Sequence, residues 1–206
     1  MQYRKAIFID KDGTLIPNIP YNVDPEKITL SAKASEGLLK LQNKGFLIVI
    51  VSNQSGVAKG LFKEKDLERV KIKIETLFLS ENIHLSGFYF CPHHPHGIVR
   101  KYATNCNCRK PANGLFLQAA KDLSINLSQS WMIGDILNDV EAGNRAGCKS
   151  ILLNTGNETE WQNGYFRKPA YIADHISQAA EFIINTSFYG KYDNRELSIA
   201  HRKVQI

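Results

Sequence analysis

Three short apolar runs of this chain each end in polar residues whose types could do chemistry. The ends are Asp10-Lys11-Asp12-Gly13-Thr14-Leu15, Ser52-Asn53-Gln54, and Gly134-Asp135 with Asp139 four residues later. One Asp-x-Asp-Gly turn alone would be weak evidence, because Asp and Gly are ordinary loop residues. Three such ends in one chain favour a shared site.

The residue types at these ends indicate the chemistry. Asp10 and Asp135, if they converge, offer the hard oxygens that Mg²⁺ prefers, and without a cation they would repel one another. Asp10 could also act as a nucleophile that forms an aspartyl-phosphate. Asp12 could protonate the leaving oxygen and then activate water. Ser52 could hold phosphoryl oxygens, and Lys110 could neutralise the developing charge.

A cluster of cysteine and histidine begins at the end of another apolar run, at 88–91. Three thiolates and one imidazole form a closed tetrahedral set typical of structural Zn²⁺, which would hold together a loop with few apolar residues. His94 and His96 are alternative imidazoles. Cys148 lies outside the cluster and is expected to be a small buried residue. The predicted zinc ligands are Cys91, His93, Cys106 and Cys108.

The elements that must position these residues alternate along the chain. Apolar, β-branched runs predict five strands, at 3–10, 46–53, 88–91, 131–135 and 150–154. Segments with helical spacing lie between them, and a final helix is predicted near 175–184. The alternation predicts a doubly wound parallel α/β sheet. Ligands of such sheets bind beyond the carboxyl ends of the strands, where the polar residues stand.

Length and composition limit the possible classes of protein. The chain has 206 residues, 43% of them hydrophobic, which predicts one domain with an insertion or a tail. We expect the domain at residues 1–186 and a tail of unknown role at 187–206. Apolar runs are far shorter than the roughly 20 residues that span a bilayer, and no signal-peptide pattern opens the sequence. We therefore expect a cytoplasmic protein without a membrane partner.

The formal net charge of +6 suits an anionic ligand. The basic residues form no stripe with stacking aromatics of the kind that binds nucleic acid. We therefore predict a monomer whose partner is a small molecule. A zinc-stabilised nucleic-acid-binding module is the distant alternative.

The motif residues resemble the haloacid dehalogenase (HAD) superfamily of phosphotransferases. The run from Asp10 to Leu15 matches the first motif, Ser52 the second, Lys110 the third, and Gly134-Asp135-x-x-x-Asp139 the fourth. The resemblance implies a Rossmann-like core with Asp10 as nucleophile and Asp12 as acid/base. Mg²⁺ would be held by the Asp10 carboxylate, the Asp12 carbonyl and Asp135, with Asp139 in support. No long insertion separates the motifs, so no large cap domain is expected.

Two further segments are similar to the histidinol-phosphatase-like subgroup of that superfamily. The first runs from Ser52 to Gly60. The second is the segment of the predicted zinc ligands, Cys91 to Cys108, here called the zinc loop, together with Arg109-Lys110-Pro111. The resemblance implies a phosphatase that removes the 7-phosphate of D-glycero-D-manno-heptose 1,7-bisphosphate during the synthesis of nucleotide-activated heptose for lipopolysaccharide. Histidinol phosphate is the alternative substrate. The residues expected near substrate are Asn53, Ser55, Lys59 and Arg109.

Physical chemistry supports a substrate with two phosphates, because Arg109 and Lys110 place two cations side by side. Two positions depart from the family pattern. Ile136 stands where a basic residue is common, which concerns outer substrate contacts. Asn113 stands where Pro is common, which concerns only loop geometry.

Overall fold

Six strands and five helices make up the fold in the computed structural model, which describes residues 3–189. The strands are β1 (Lys5–Ile9), β2 (Phe46–Asn53), β3 (Leu85–Cys91), β4 (Trp131–Gly134), β5 (Lys149–Leu153) and β6 (Tyr171–Ala173). The helices are α1 (Ala34–Asn43), α2 (Asp66–Ser80), α3 (Gly114–Leu123), α4 (Leu137–Arg145) and α5 (Ile176–Tyr189).

The strands form one parallel sheet in the order β3-β2-β1-β4-β5-β6. The chain winds outward from β1 to β3 and then returns to place β4 on the other side of β1. This reversal creates a crevice beyond the carboxyl ends of β1 and β4, where open α/β sheets bind their ligands. The prediction of a doubly wound parallel sheet is confirmed.

Both faces of the sheet are buried. Successive side chains of a strand point to opposite faces, so Ile7 and Ile9 enter one core while Ala6 and Phe8 enter the other. Helices α1, α2 and α5 cover the first face, and α3 and α4 cover the second. The Phe8 ring lies 4.8 Å from that of Phe116 on α3. Burial on both faces explains the nearly continuous apolar sequence of β1 and β2.

The structure differs from the sequence-based prediction at the two edges of the sheet. Strand β6 was not predicted, because three residues are too few to show a period. Strand β3 begins at Leu85, three residues before the predicted start, since Ser86 and Gly87 weaken its strand signal. The segment 92–113, which follows β3, is irregular.

Helix α5 crosses the predicted boundary at residue 186 and ends at Tyr189. The rest of the predicted tail lies outside the described residues. The described chain has no large cap domain, in agreement with the prediction. Within residues 3–189, each helix is too short or too polar to cross a bilayer.

Candidate active site

The turn after β1 is tied to the neighbouring strand. The backbone N–H of Asp10 donates to the carbonyl of Ile133 on β4, at 3.0 Å. Gly13 then adopts φ = +89°, and a Cβ at this position would collide with the side chains of Asp135 and Asn157. Glycine is therefore required here for both its backbone conformation and its missing side chain.

Three buried carboxylates meet around one ammonium group at the β1/β4 crevice. Oxygens of Asp10, Asp135 and Asp139 lie within 4.8 Å of one another. The Nζ atom of Lys110 lies 2.5 Å from Asp10 Oδ1 and 2.6 Å from Asp139 Oδ1, and it donates to the carbonyl of Val51 at 2.9 Å. Three carboxylates and one ammonium leave a formal charge of −2.

The buried charges shift one another's pKa values. Burial is the main cause that raises the pKa of Asp10 to about 7, with help from the charge of Asp139 and against the attraction of Lys110. Burial, followed by the charge of Asp10, raises the pKa of Asp135 to about 6. Burial acts to lower the pKa of Lys110, but the two carboxylates beside it outweigh burial and hold that pKa above its ordinary value.

This arrangement fits a divalent cation. Mg²⁺ takes carboxylate oxygens as ligands, and a site with a formal charge of −2 and raised carboxyl pKa values is one that a cation stabilises. The predicted ligands Asp10 and Asp135 lie together, and Asp12 follows on the same turn. Asp139, predicted to give support, belongs to the cluster and also accepts the N–H of Ile136 at 3.4 Å in the first turn of α4.

The carboxylate of Asp12 is held at both oxygens. Lys11, which is almost wholly buried, donates to Oδ1 at 2.5 Å, and the Gln54 amide donates to Oδ2 at 2.9 Å. The same amide nitrogen donates to Ser52 Oγ at 2.7 Å. The predicted acid/base and the predicted phosphate-binding hydroxyl are thus connected through one side chain.

The side chain of Asn53 forms hydrogen bonds with the backbone of Lys110. Its Nδ2 donates to the Lys110 carbonyl at 3.1 Å, and its Oδ1 accepts the Lys110 N–H at 3.0 Å. These two hydrogen bonds hold the backbone of Lys110 beside the end of β2. Ser55, also expected near substrate, lies in the turn after β2, where its carbonyl accepts the N–H of Lys59.

The predicted zinc ligands come together in the segment after β3. The sulfur atoms of the three cysteines lie 3.1 to 3.5 Å apart, and His93 Nδ1 lies 3.3 Å from Cys108 Sγ. Ligands about 2.3 Å from one tetrahedral ion lie about 3.8 Å apart, close to these spacings. Among the described residues, His93 is the imidazole of this cluster, and His94 and His96 lie outside it.

A rim of cations lies beside the zinc loop. Arg109 is half-buried, with Nη1 3.5 Å from the carbonyl of His93. Lys59 donates to the hydroxyl of Tyr21 at 2.6 Å. Burial and the charges of Arg109 and Lys59 lower the pKa of His94, so these side chains share one positive region. Such a region attracts anions.

Sequence reasoning missed several residues of the site. Thr14 Oγ1 and Asn157 Nδ2 donate to the two oxygens of Asp135, at 2.9 and 2.7 Å. Glu158 accepts the N–H of Leu137 at the start of α4. Asn157 and Glu158 follow β5, so the rule of the carboxyl strand ends, applied to that strand, would have drawn attention to them.

Comparison with known proteins agrees with this geometry. A family model for HAD-hydrolase-like proteins matches residues 107–179. The D-glycero-beta-D-manno-heptose-1,7-bisphosphate 7-phosphatase of Haemophilus ducreyi is 40% identical over 155 residues, which cover 74% of this chain and 85% of that protein. The protein of the same name from Photorhabdus laumondii is 34% identical over 183 residues, which cover 88% and 90%.

Two solved structures share the fold. A HAD-like phosphatase of Mesorhizobium loti superposes with a TM-score of 0.78 at 26% identity, covering 93% of this chain and 90% of that one. The D,D-heptose 1,7-bisphosphate phosphatase of B. bronchiseptica, complexed with magnesium and phosphate, has a TM-score of 0.76 at 24% identity, covering 88% and 98%.

The fold, the site and these similarities define a HAD-like hydrolase. Within that class, the chain belongs to the family of D-glycero-β-D-manno-heptose-1,7-bisphosphate 7-phosphatases. The resemblance inferred from the sequence motifs is confirmed.

Replacing Asp135 by Asn should stabilise the protein in the absence of Mg²⁺. The folded pKa of Asp135 is about 6 against an ordinary 3.8, so the folded state binds the proton more tightly and the free energy of unfolding falls between about pH 4 and pH 6. At pH 8 in buffer without divalent cations, Asp135→Asn should raise that free energy by up to about 3 kcal/mol. At pH 3 the difference should vanish.

Urea unfolding at the two pH values measures this effect, with Asp174→Asn on the exposed Asp174 as the matched control. Added Mg²⁺ should raise the midpoint of the wild type more than that of Asp135→Asn. A variant less stable than the wild type at pH 8 would contradict the assignment.

Proposed function

We propose that this enzyme, a phosphoric monoester hydrolase, removes the 7-phosphate of D-glycero-β-D-manno-heptose 1,7-bisphosphate. The observation that carries the proposal is the buried cluster of Asp10, Asp135 and Asp139 around Lys110, found in a chain of this family. Family membership and this site favour the heptose bisphosphate over histidinol phosphate and over the nucleic-acid-binding alternative. The reaction supplies a heptose 1-phosphate for nucleotide activation, as the resemblance implied.

In the first half-reaction, a carboxylate oxygen of Asp10 attacks phosphorus. A bond forms between that oxygen and phosphorus, and the bond from phosphorus to the sugar oxygen breaks. The leaving oxygen takes its proton from the Asp12 carboxyl group, which acts as general acid. Lys110 and the hydroxyl of Ser52 stabilise the charge on the transferring phosphoryl group.

In the second half-reaction, the Asp12 carboxylate takes a proton from water as general base. The water oxygen attacks phosphorus, the bond to Asp10 breaks, and inorganic phosphate leaves. Mg²⁺, when held by Asp10, Asp135 and the Asp12 carbonyl, neutralises the repulsion between the nucleophile and the phosphate dianion.

The second phosphate of the substrate is assigned to the cationic rim. Lys59 and Arg109 lie in the positive region beside the zinc loop, and a guanidinium binds phosphate with two parallel hydrogen bonds. In this proposal the charge of the rim serves a small phosphosugar, and neither nucleic acid nor a second subunit has a role.

We also propose that the cysteine cluster holds a structural Zn²⁺. Burial raises the pKa of the Cys91 thiol, so a cation is needed to favour the thiolate. Thiols kept free for a metal suit a reducing compartment, and we therefore assign the enzyme to the cytoplasm.

Phosphate release tests the substrate assignment directly. With Mg²⁺, kcat/KM should be highest for the β anomer of heptose 1,7-bisphosphate. It should exceed that for histidinol phosphate at least about tenfold, because one charge-assisted hydrogen bond contributes about 1.5 to 3 kcal/mol. Phosphorus NMR should identify heptose 1-phosphate as product, and Asp10→Asn should abolish turnover. A preference for histidinol phosphate would reject the substrate while keeping the mechanism.

Arg109→Met should separate recognition of the second phosphate from chemistry. The variant removes the charge of Arg109, so KM for heptose 1,7-bisphosphate should rise about tenfold while KM for phenyl phosphate, which has one phosphate, stays near that of the wild type. Arg100→Met, on an exposed arginine of the same loop, is the matched control. An equal rise of KM for both substrates would argue against this assignment.

Elemental analysis tests the zinc proposal. Purified protein should contain about one zinc per chain, and Cys106→Ser should lose it, because a site that needs four ligands loses one. Cys148→Ser is the matched control, since Cys148 is buried outside the cluster and its replacement should keep the zinc. Zinc-free wild-type protein, or full zinc in Cys106→Ser, would contradict the proposal.

A further inference from the structure

The side chain of Gln54 connects two residues of the proposed mechanism. Its Nε2 donates to Asp12 Oδ2 at 2.9 Å and to Ser52 Oγ at 2.7 Å. A carboxylate can only accept hydrogen bonds, so the amide group that faces Asp12 must be the NH₂ group. Both of its protons are therefore used, one on each partner.

Gln54 is itself held firmly. Its side chain and backbone are almost wholly buried, with 5% of the residue exposed. Its backbone N–H donates to the carbonyl of Cys91 at 2.8 Å, and its own carbonyl accepts the N–H of Val57 at 3.2 Å. The amide thus projects from a fixed point at the end of β2, rather than from a loop that could follow Asp12.

Lys11 does not duplicate this contact. It binds the other oxygen of Asp12, follows Asp10 directly in the chain, and belongs to the same turn as the carboxylate that it contacts. Among the hydrogen bonds of residues 3–189, only the Gln54 contact relates Asp12 to the second strand, where the proposed phosphate-binding hydroxyl of Ser52 stands. The orientation of the carboxyl group relative to the phosphoryl site therefore depends on Gln54.

We propose that Gln54 is a positioning residue for general acid catalysis, whose amide fixes the Asp12 carboxyl group relative to Ser52. The proposal rests on the proposed phosphatase function. It does not depend on the identity of the sugar, because Gln54 acts where the leaving oxygen of any phosphate monoester would lie. Gln54 touches neither substrate nor metal in this assignment, and it acts through Asp12.

Leaving-group dependence provides the test, because only a poor leaving group needs a proton from Asp12. In Gln54→Met, which keeps the volume of the side chain and removes the donor, kcat/KM for phenyl phosphate should fall about 30-fold. For 2,4-dinitrophenyl phosphate, whose leaving group departs without a proton, kcat/KM should fall less than about 3-fold. A merely structural role would lower both values equally.

A matched control and a double variant complete the experiment. Gln42→Met removes two hydrogen bonds near the start of β3: Gln42 Nε2 donates to the carbonyl of Asn82, and Gln42 Oε1 accepts the N–H of His84. This variant should change neither rate constant. In an Asp12→Asn background, Gln54→Met should cause no further loss with phenyl phosphate. Equal loss with both aryl phosphates, no loss with either, or additive loss in the double variant would overturn the proposal.

The two proposals can fail separately. Aryl phosphates measure the role of Gln54 even where heptose 1,7-bisphosphate is not the preferred substrate. If the protein turned over no phosphate ester at a rate that depends on Asp10, the phosphatase mechanism would be rejected. The assignment of Gln54 would then be rejected with it. Urea midpoints are measured for Gln54→Met, Gln42→Met, the double variant and the wild type. They identify any loss of rate that comes from unfolding.

Discussion

The ion pairs of Lys110 with Asp10 and Asp139 are the interaction on which the rest of the site depends. All three side chains are buried, and removing one partner would leave an uncompensated charge in the interior. The fold brings them from three separate places: the end of β1, the start of α4 and the irregular segment before α3. The switch in strand order puts Asp10 and Asp139 side by side. The hydrogen bonds of Asn53 to the Lys110 backbone hold Lys110 beside them.

Burial stabilises the sheet but disfavours the charged forms of the carboxyl groups in the site. The sheet is stabilised by apolar burial on both faces, yet the same burial raises the pKa values of Asp10 and Asp135 and leaves a negative excess. A divalent cation would remove that excess, so the proposed affinity for Mg²⁺ would follow from carboxylates held closer than their own repulsion favours. The same preorganisation stabilises phosphoryl transfer, because the groups need no rearrangement as charge develops.

Local signals predicted much of this molecule. Polar side chains stand out where they end apolar strands, so Asp10, Ser52 and Asp135 could be placed at one edge of a sheet from sequence alone. Strand β6 could not be predicted, because three residues show no period. The contacts of Gln54 and Asn157 were also missed, because an amide side chain is common in loops and its partners lie 22 or 42 residues away along the chain. His93 was the predicted imidazole of the cysteine cluster, and the geometry places it there rather than the alternatives His94 and His96.

The zinc loop is connected to two residues that hold the site together, Gln54 and Lys110. The carbonyl of Cys91 accepts the N–H of Gln54, and Cys108 lies two residues before Lys110. An irregular segment with few apolar side chains would not hold these two points on its own. A Zn²⁺ bound, as proposed, by the three sulfurs and the imidazole would fix both ends of the segment at once. In that arrangement the proposed metal would help to fix Gln54, and through it Asp12, as well as Lys110.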